Sequence, residues 1–293
     1  MESQRPFKII LITGCSSGFG LLATRHLAAR GHRIIATLRN PEKTGVIQVA
    51  CQHVADHVDI QILNVCQEDH VRQVADYIRR QYGRLDAVVN NAGYGLGGFF
   101  GDLSDAEFRA QMETNFFGAL NVIRANLPLL HQSTPATIVN ISSTAGLTAT
   151  PGLGAYNASK WALEGFSEAL RLELKPFGIR VCLIEPGPFP TKALFENARF
   201  AKRARTPDSL YRESTEKVFA LYQASNRDLH SDPMDVVYRI EKCILHHNPP
   251  FRNVLGPNAR LRYYIRRFFP WRFYEWLIGW IINRAGKSTT AEA

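Results

Sequence analysis

Phe7-Lys8-Ile9-Ile10-Leu11-Ile12-Thr13-Gly14-Cys15-Ser16-Ser17-Gly18-Phe19-Gly20 is the stretch that decides the fold. Its first six residues form a short, β-favouring apolar run, the pattern of a strand buried on both faces. Leu21 to Arg30 then reads as a helix and stops at Gly31, a C-terminal helix signal. Strand, glycine turn and helix in this order suit a dinucleotide pyrophosphate. Glycines allow a tight turn and a close backbone approach, and a helix N-terminus offers N–H groups and the positive end of its dipole. The spacing is G-x-x-x-G-x-G, not the commoner G-x-G-x-x-G. The next strand, Arg33 to Leu38, ends at Arg39. A carboxylate there would bond a ribose 2′-hydroxyl, whereas an arginine can meet a 2′-phosphate. Arg39 therefore favours NADP(H), with NAD(H) left open.

Further along, Tyr156 and Lys160 stand four residues apart, and Ser143 precedes the tyrosine by thirteen. On a helix, i and i+4 share a face. A free tyrosine titrates at a pKa of roughly 10. A fixed positive charge beside it favours the phenolate and lowers that value. The pair is suited to exchange a proton with an alcohol or carbonyl oxygen. Tyrosine and lysine at this spacing also occur on ordinary surface helices, so the context has to carry the assignment.

That context resembles the short-chain dehydrogenases/reductases in their single-domain form. The matching pieces are Thr13-Gly14-x-x-x-Gly18-Phe19-Gly20, Asn90-Asn91-Ala92-Gly93, Asn115, Ser143, Tyr156-x-x-x-Lys160, and Pro186-Gly187 with Thr191. They run in the family's order over residues 7 to 191. The resemblance implies an α/β fold: a Rossmann-type doubly wound parallel sheet in one domain, with a helical C-terminal extension. It implies that Gly14, Ser16, Gly18, Phe19 and Gly20 line the cofactor phosphates and adenosine ribose, with Asn91, Ala92 and Gly93 beside the adenosine half. Ser143 would bind the substrate oxygen and Tyr156 would be the acid/base. Lys160 would bind the nicotinamide ribose and lower the tyrosine pKa, and Asn115 would anchor a water in the proton relay. Pro186, Gly187 and Thr191 would position the carboxamide. Two positions depart from the pattern. Asn64-Val65 stands where an aspartate is usual near the adenine, and asparagine can still accept from the adenine amine. Pro190 directly precedes Thr191 and restricts the backbone there.

The length of 293 residues suits one domain, and 45% hydrophobic with 21% charged residues is ordinary for a globular chain. We expect residues 1–250 to form the nucleotide-binding catalytic domain, with 192–232 as a substrate lid and 251–293 as an extension. The five cysteines form no C-x-x-C pair, and Cys51, Cys66 and Cys182 read as small buried hydrophobes. The nine histidines show no recognisable metal spacing, so no metal is expected. Met1 to Pro6 is polar and unlike a signal peptide, which suits the cytoplasm. No segment offers the roughly 18 apolar residues of a spanning helix.

The carboxyl end is unusual. Arg252, Arg260, Arg262, Arg266, Arg267, Arg272, Arg284 and Lys287 face a single acid, Glu275, so this stretch carries +7 of the chain's +9. Tyr263, Tyr264, Phe268, Phe269, Trp271, Phe273, Tyr274, Trp276 and Trp280 are interleaved. Such a mixture suits a segment lying on an anionic membrane surface through 258–284, or an apolar mouth for a lipophilic substrate. A helical cover or a subunit interface in a homo-oligomer, dimer or tetramer, is the competing reading. Nucleic acid is not an expected partner, because no binding module is visible. Phe189, Leu194, Phe195, Phe200 and Leu210 are candidate apolar substrate contacts. Within the family, the glycine turn, the Ala-Thr-Leu-Arg strand end and the tail look most like hydroxysteroid and retinol dehydrogenases. That similarity implies a bulky apolar alcohol or carbonyl, of retinoid, steroid or lipid type. A nucleotide-sensing regulator or a membrane-surface scaffold that keeps the fold is the alternative to an enzyme.

Overall fold

The computed structural model describes residues 7–190, 199–227, 231–257 and 259–288, and side chains through most of these. Seven strands form one parallel sheet in the order β3-β2-β1-β4-β6-β7-β9. These are β1 (Ile9–Ile12), β2 (Arg33–Leu38), β3 (Val58–Ile62), β4 (Ala87–Asn90), β6 (Ala136–Ile141), β7 (Ile179–Pro186) and β9 (Arg252–Leu255). A second, two-stranded ladder joins β5 (Leu96–Gly97) to β8 (Arg199–Phe200).

Side chains alternate across a strand, and here both faces are covered. Ile10, Ile12, Ile34, Ala36, Val89, Val139 and Ile184 pack on one side, against α1 (Gly18–Ala29) and α8 (Met234–Leu245). Ile9, Leu11, Ile35, Val88, Ile138 and Val181 pack on the other, against α3 (Glu68–Tyr82), α5 (Gly118–His131) and α6 (Gly154–Leu174). Continuous apolar strands are what a doubly covered parallel sheet requires. From β1 the chain moves to β2 and β3 on one side, then returns to β4 on the other. That reversal opens a crevice at the strand ends, where ligands bind in such sheets.

The sheet does not stop at residue 250 as the sequence suggested. Arg252–Leu255 adds its edge strand, with Leu183 to Pro186 in register against it. This four-residue strand carries two polar side chains, and the basic tail that follows masks its period.

The remaining helices are α2 (Thr44–Ala50), α4 (Asp105–Met112), α7 (Arg212–Arg227), α9 (Ala259–Phe268) and α10 (Trp271–Ser288). Ser104 and Glu107 form a reciprocal capping box at the start of α4. Among the described residues, no helix is long and apolar enough to cross a membrane.

Candidate active site

The turn after β1 is built by close approach. Gly14 sits at φ 72° and Gly18 at φ 57°, conformations that glycine adopts without penalty. A Cβ on Gly20 would lie 2.4 Å from the Gly14 carbonyl oxygen and 2.5 Å from Asn91 Nδ2. Asn91 Nδ2 donates to the carbonyls of Thr13 at 2.8 Å and Gly14 at 3.0 Å. Buried Thr13 returns the favour: its hydroxyl accepts from the N–H groups of Asn91 and Ala92, at 3.0 and 2.9 Å. The glycine turn and the segment after β4 are thus one unit, and Thr13 is a tie that sequence reading passed over. Ser16 and Phe19 lie half-buried in this turn. No acid lies in the first turn of α1, and extended Ser17 does not cap it with its side chain. A nucleotide pyrophosphate fits this cradle, with free N–H groups and no competing carboxylate.

Arg39 is exposed at the end of β2, beside the same turn, whose Cys15 N–H bonds the Thr37 carbonyl at 2.8 Å. At the end of β3, Asn64 Oδ1 accepts the Cys66 N–H at 3.2 Å, so its oxygen is partly occupied. Val65 is buried and sits where a Cβ on Gly118 would come within 2.5 Å of it.

Ser143, Tyr156 and Lys160 converge. β6 ends at Ile141, and Ser143 opens the short turn Thr144–Gly146 as its cap, its Oγ accepting the Ala145 N–H at 3.1 Å. The same hydroxyl lies 3.4 Å from the Pro186 carbonyl, to which it donates. Tyr156 and Lys160 lie on α6, with the lysine Nζ 5.9 Å from the tyrosine ring centre. Lys160 is buried and donates from Nζ to the Ile141 carbonyl at 2.8 Å. Burial pushes the Tyr156 pKa up, and the hydrogen-bonding Ser143 hydroxyl works against that. This departs from the lowered value that the sequence led us to expect: desolvation outweighs the Ser143 hydrogen bond, and the Lys160 ammonium donates to the strand end. Burial also pushes Lys160 down, to about 8, with the Glu164 carboxylate opposing.

Asn115 is buried in a single π turn, Glu113–Phe117, a device frequent at functional sites. Its Nδ2 donates to the Tyr94 carbonyl at 3.0 Å and to Ser159 Oγ at 3.1 Å, and its Oδ1 accepts the Tyr94 N–H at 3.1 Å. The side chain therefore ties the post-β4 loop to α6. Ser159 and Tyr94, the residues it holds, carried no signal in the sequence.

The segment after β7 is placed differently from expectation in two respects. The Gly187 N–H bonds the Leu255 carbonyl at 2.8 Å, extending the pairing of β9 with Pro186 at the end of β7. Phe189 is buried and meets Phe19 edge-on at 5.8 Å, so it packs on the glycine turn and not on an open substrate wall. Leu210 is 91% exposed to solvent, whereas Phe200 packs edge-on against Phe219 at 4.8 Å. Thr191, Leu194 and Phe195 lie outside the described residues. Cys66, expected among the buried cysteines, is half-buried beside Thr114.

A parallel doubly wound sheet, a glycine cradle and a Ser-Tyr-Lys set at neighbouring strand ends define an NAD(P)-dependent oxidoreductase acting on an alcohol or carbonyl. A family profile described as short chain dehydrogenase matches residues 8–200, and the chain belongs to that family. It is 38% identical over 273 residues to Uncharacterized oxidoreductase YusZ of Bacillus subtilis, covering 92% of this chain and 96% of that one. It is 37% identical to 3-ketodihydrosphingosine reductase of Bacteroides thetaiotaomicron, covering 85% and 88%. It is 36% identical to Retinol dehydrogenase 8 of Bos taurus, covering 84% and 80%. A short-chain dehydrogenase from Streptomyces avermitilis shares the fold at a TM-score of 0.76 and 33% identity, covering 86% and 90%.

Proposed function

We propose that the protein is an NADP(H)-dependent reductase of a bulky, apolar carbonyl, the reverse oxidation of the alcohol using the same residues. The observation that carries this is the convergence of Ser143 and Lys160 at the end of β6, with the Lys160 Nζ 2.8 Å from the Ile141 carbonyl and 5.9 Å from the Tyr156 ring centre. Ser143 and Tyr156 would donate to the substrate oxygen, and charge developing there would be stabilised by donors already in place. The cofactor supplies the hydride. Tyr156 then gives up its proton, and the Lys160 ammonium stabilises the phenolate left behind. The cradle of Gly14, Gly18 and Gly20 would hold the pyrophosphate, and Arg39 would pair with a 2′-phosphate. The names of the relatives in Bacteroides and cattle support a lipid-like substrate. So does the apolar rim, where Phe99 stacks on Tyr211 at 5.6 Å and approaches Gly152 together with Val218. In this reading the described part of the expected lid, residues 199–227, covers that rim.

The test is titration with NADPH and NADH, then cofactor oxidation against retinoid, steroid, sphingoid and small carbonyls. We expect tighter NADPH binding, and turnover on a bulky member. Tyr156→Phe should keep cofactor affinity and lose about 10²–10⁴ in kcat. Turnover within tenfold of the parent would sink the Tyr156 role.

The hairpin α9–α10 supports a second part of the reading, contact with an anionic membrane surface. Leu261, Tyr264 and Phe268 are exposed along α9, and Phe273, Trp276 and Trp280 along α10, at i, i+3 and i+7 on each helix. Exposed Arg260, Arg267 and Arg272 stand beside them. Apolar faces turned to solvent among cations suit a lipid headgroup boundary. Co-sedimentation with phosphatidylserine vesicles should exceed that with neutral vesicles, and Phe268→Ser with Trp276→Ser should abolish it. Equal recovery on both vesicle types would remove this part. A homo-oligomer, dimer or tetramer, is the assembly proposed, and light scattering checks it.

A further inference from the structure

Lys160 has a second neighbour one helical turn on. Glu164 follows it at i+4 on α6 and is buried. Behind Glu164 lies Arg252 of β9, whose Nη1 is bonded to Glu164 Oε2 and stands 3.2 Å from Glu185 Oε1 of β7. Glu185 is fully buried, and its Oε2 accepts the Asn253 N–H at 2.6 Å. Arg252 Nη2 also reaches the exposed Glu168 at 3.3 Å. Two buried carboxylates thus share one guanidinium. The packing is close: a Cβ on Gly146 would lie 2.9 Å from Glu164 Cγ, 3.0 Å from Ser142 Oγ and 3.1 Å from the Lys160 carbonyl.

We propose that Glu164 is a positioning residue for the reaction: held as a carboxylate by Arg252, it keeps the buried Lys160 ammonium protonated between Ile141 and the Tyr156 ring. An ammonium taken out of water loses its proton readily unless an anion stays near. The groups that face it bear this out. From α6 come the Tyr156 ring, its centre 5.9 Å from Nζ, and Glu164, and from the end of β6 comes the Ile141 carbonyl at 2.8 Å. Glu185 and Arg252, from β7 and β9, sit in the layer behind Glu164. Among the described residues, Glu164 is the carboxylate whose charge reaches Lys160, one helical turn away, and it opposes the downward push of burial on the lysine. Burial pushes Glu164 itself up, and the Arg252 guanidinium opposes that in turn. The lysine's charge thus depends on β9, a strand at the far edge of the sheet.

This rests on the Ser-Tyr-Lys reading, and its test is independent of turnover. Full-length protein labelled with ¹³C at lysine Cε is titrated by NMR from neutral to alkaline pH, the Lys160 signal being identified by its loss in Lys160→Met. In Glu164→Gln the Lys160 pKa should fall by about one pH unit, roughly tenfold in proton affinity. The alkaline limb of kcat/KM should move to lower pH by the same amount. Glu164→Asp should restore most of both. A folded Glu164→Gln whose Lys160 titrates as in the parent overturns the proposal. If that variant does not fold, Glu164→Asp decides alone: its shorter carboxylate should lower the Lys160 pKa measurably, and no movement overturns the idea. A protein that reduces no carbonyl still yields the lysine titration, so the two readings fail separately.

Discussion

The turn Thr13 to Gly20 and the hairpin α9–α10, the two regions proposed here to meet ligands, are held in opposite ways. In the turn, main-chain and side-chain groups of two loops are locked together, and a single added methyl on Gly20 would strike backbone. Among its described side chains the hairpin shows most aromatic residues to solvent and buries Tyr274 and Ala259. A nucleotide phosphate has one shape and rewards a rigid cradle. A surface of variable composition rewards exposed, tolerant faces. Residues of the turn should therefore be intolerant and specific, and those of the hairpin tolerant and additive.

The largest effect is expected at the strand that precedes the hairpin. β9 leads directly into the hairpin, and its Arg252 neutralises Glu164 and Glu185. Arg252→Ala leaves these carboxylates without their cation, a change that costs about 3–5 kcal/mol where a buried pair is broken. Burial already pushes Glu185 up to about 8 from its ordinary 4.5, so the folded state holds a proton that the unfolded chain releases. That group's contribution to stability is complete below about 4.5 and is lost as pH rises toward 8. Arg252 opposes that push, so without it the proton is held to higher pH and the loss runs on past 8; the variant should be closest to the parent at acid pH and fall further behind it as pH rises above 8. Urea unfolding across that range checks it, and a pH-independent difference would show that Arg252 contributes packing alone.

Gly20→Ala comes next. Overpacking against backbone costs roughly 1–3 kcal/mol, and here the displaced atoms belong to the phosphate cradle. NADPH affinity should fall by about ten- to a hundredfold, with the thermal midpoint changed much less. Unchanged affinity would mean that the turn can yield, and the comparison with the hairpin would lose its rigid half.

Reading the chain from sequence went furthest where chemistry repeats a pattern. Arg33 to Leu38 is a strand at the expected bounds, and Asn91 and Ala92 after β4 are hydrogen-bonded to the turn after β1. Three things were hidden, each for a physical reason. β9 carries Arg252 and Asn253 because its polar groups serve buried partners, so it lacks the apolar run of the other strands. Arg252 was counted with the tail's surface charge, although ion pairs consume it inside. The Tyr156 pKa moves opposite to expectation because spacing reports who is near and says nothing of burial, which is the larger effect on this phenol.

The smallest effect tests the anchoring of the hairpin. Tyr274 is 3% exposed, and its hydroxyl donates to the Ala149 carbonyl at 3.3 Å. Ala149 belongs to the loop between Ser143 and Tyr156, so this bond joins α10 to the rim of the site. The Arg266 guanidinium lies over the Trp271 ring at 4.8 Å and near the Tyr274 ring at 5.8 Å, holding α9 to the same point. Tyr274→Phe keeps the ring and these cation–π contacts but removes the hydroxyl. The loss should be about 1 kcal/mol, the ordinary net value of one hydrogen bond. That is too little to unfold the domain, but enough to raise fivefold or so the fraction of time in which the hairpin lets go. Amide exchange should therefore quicken in α10 and in residues 144–153 together, while the strands keep their protection. Faster exchange in α10 alone would show that the hairpin and the site's rim move independently. The comparison would then be between two regions that share a chain but no mechanical link.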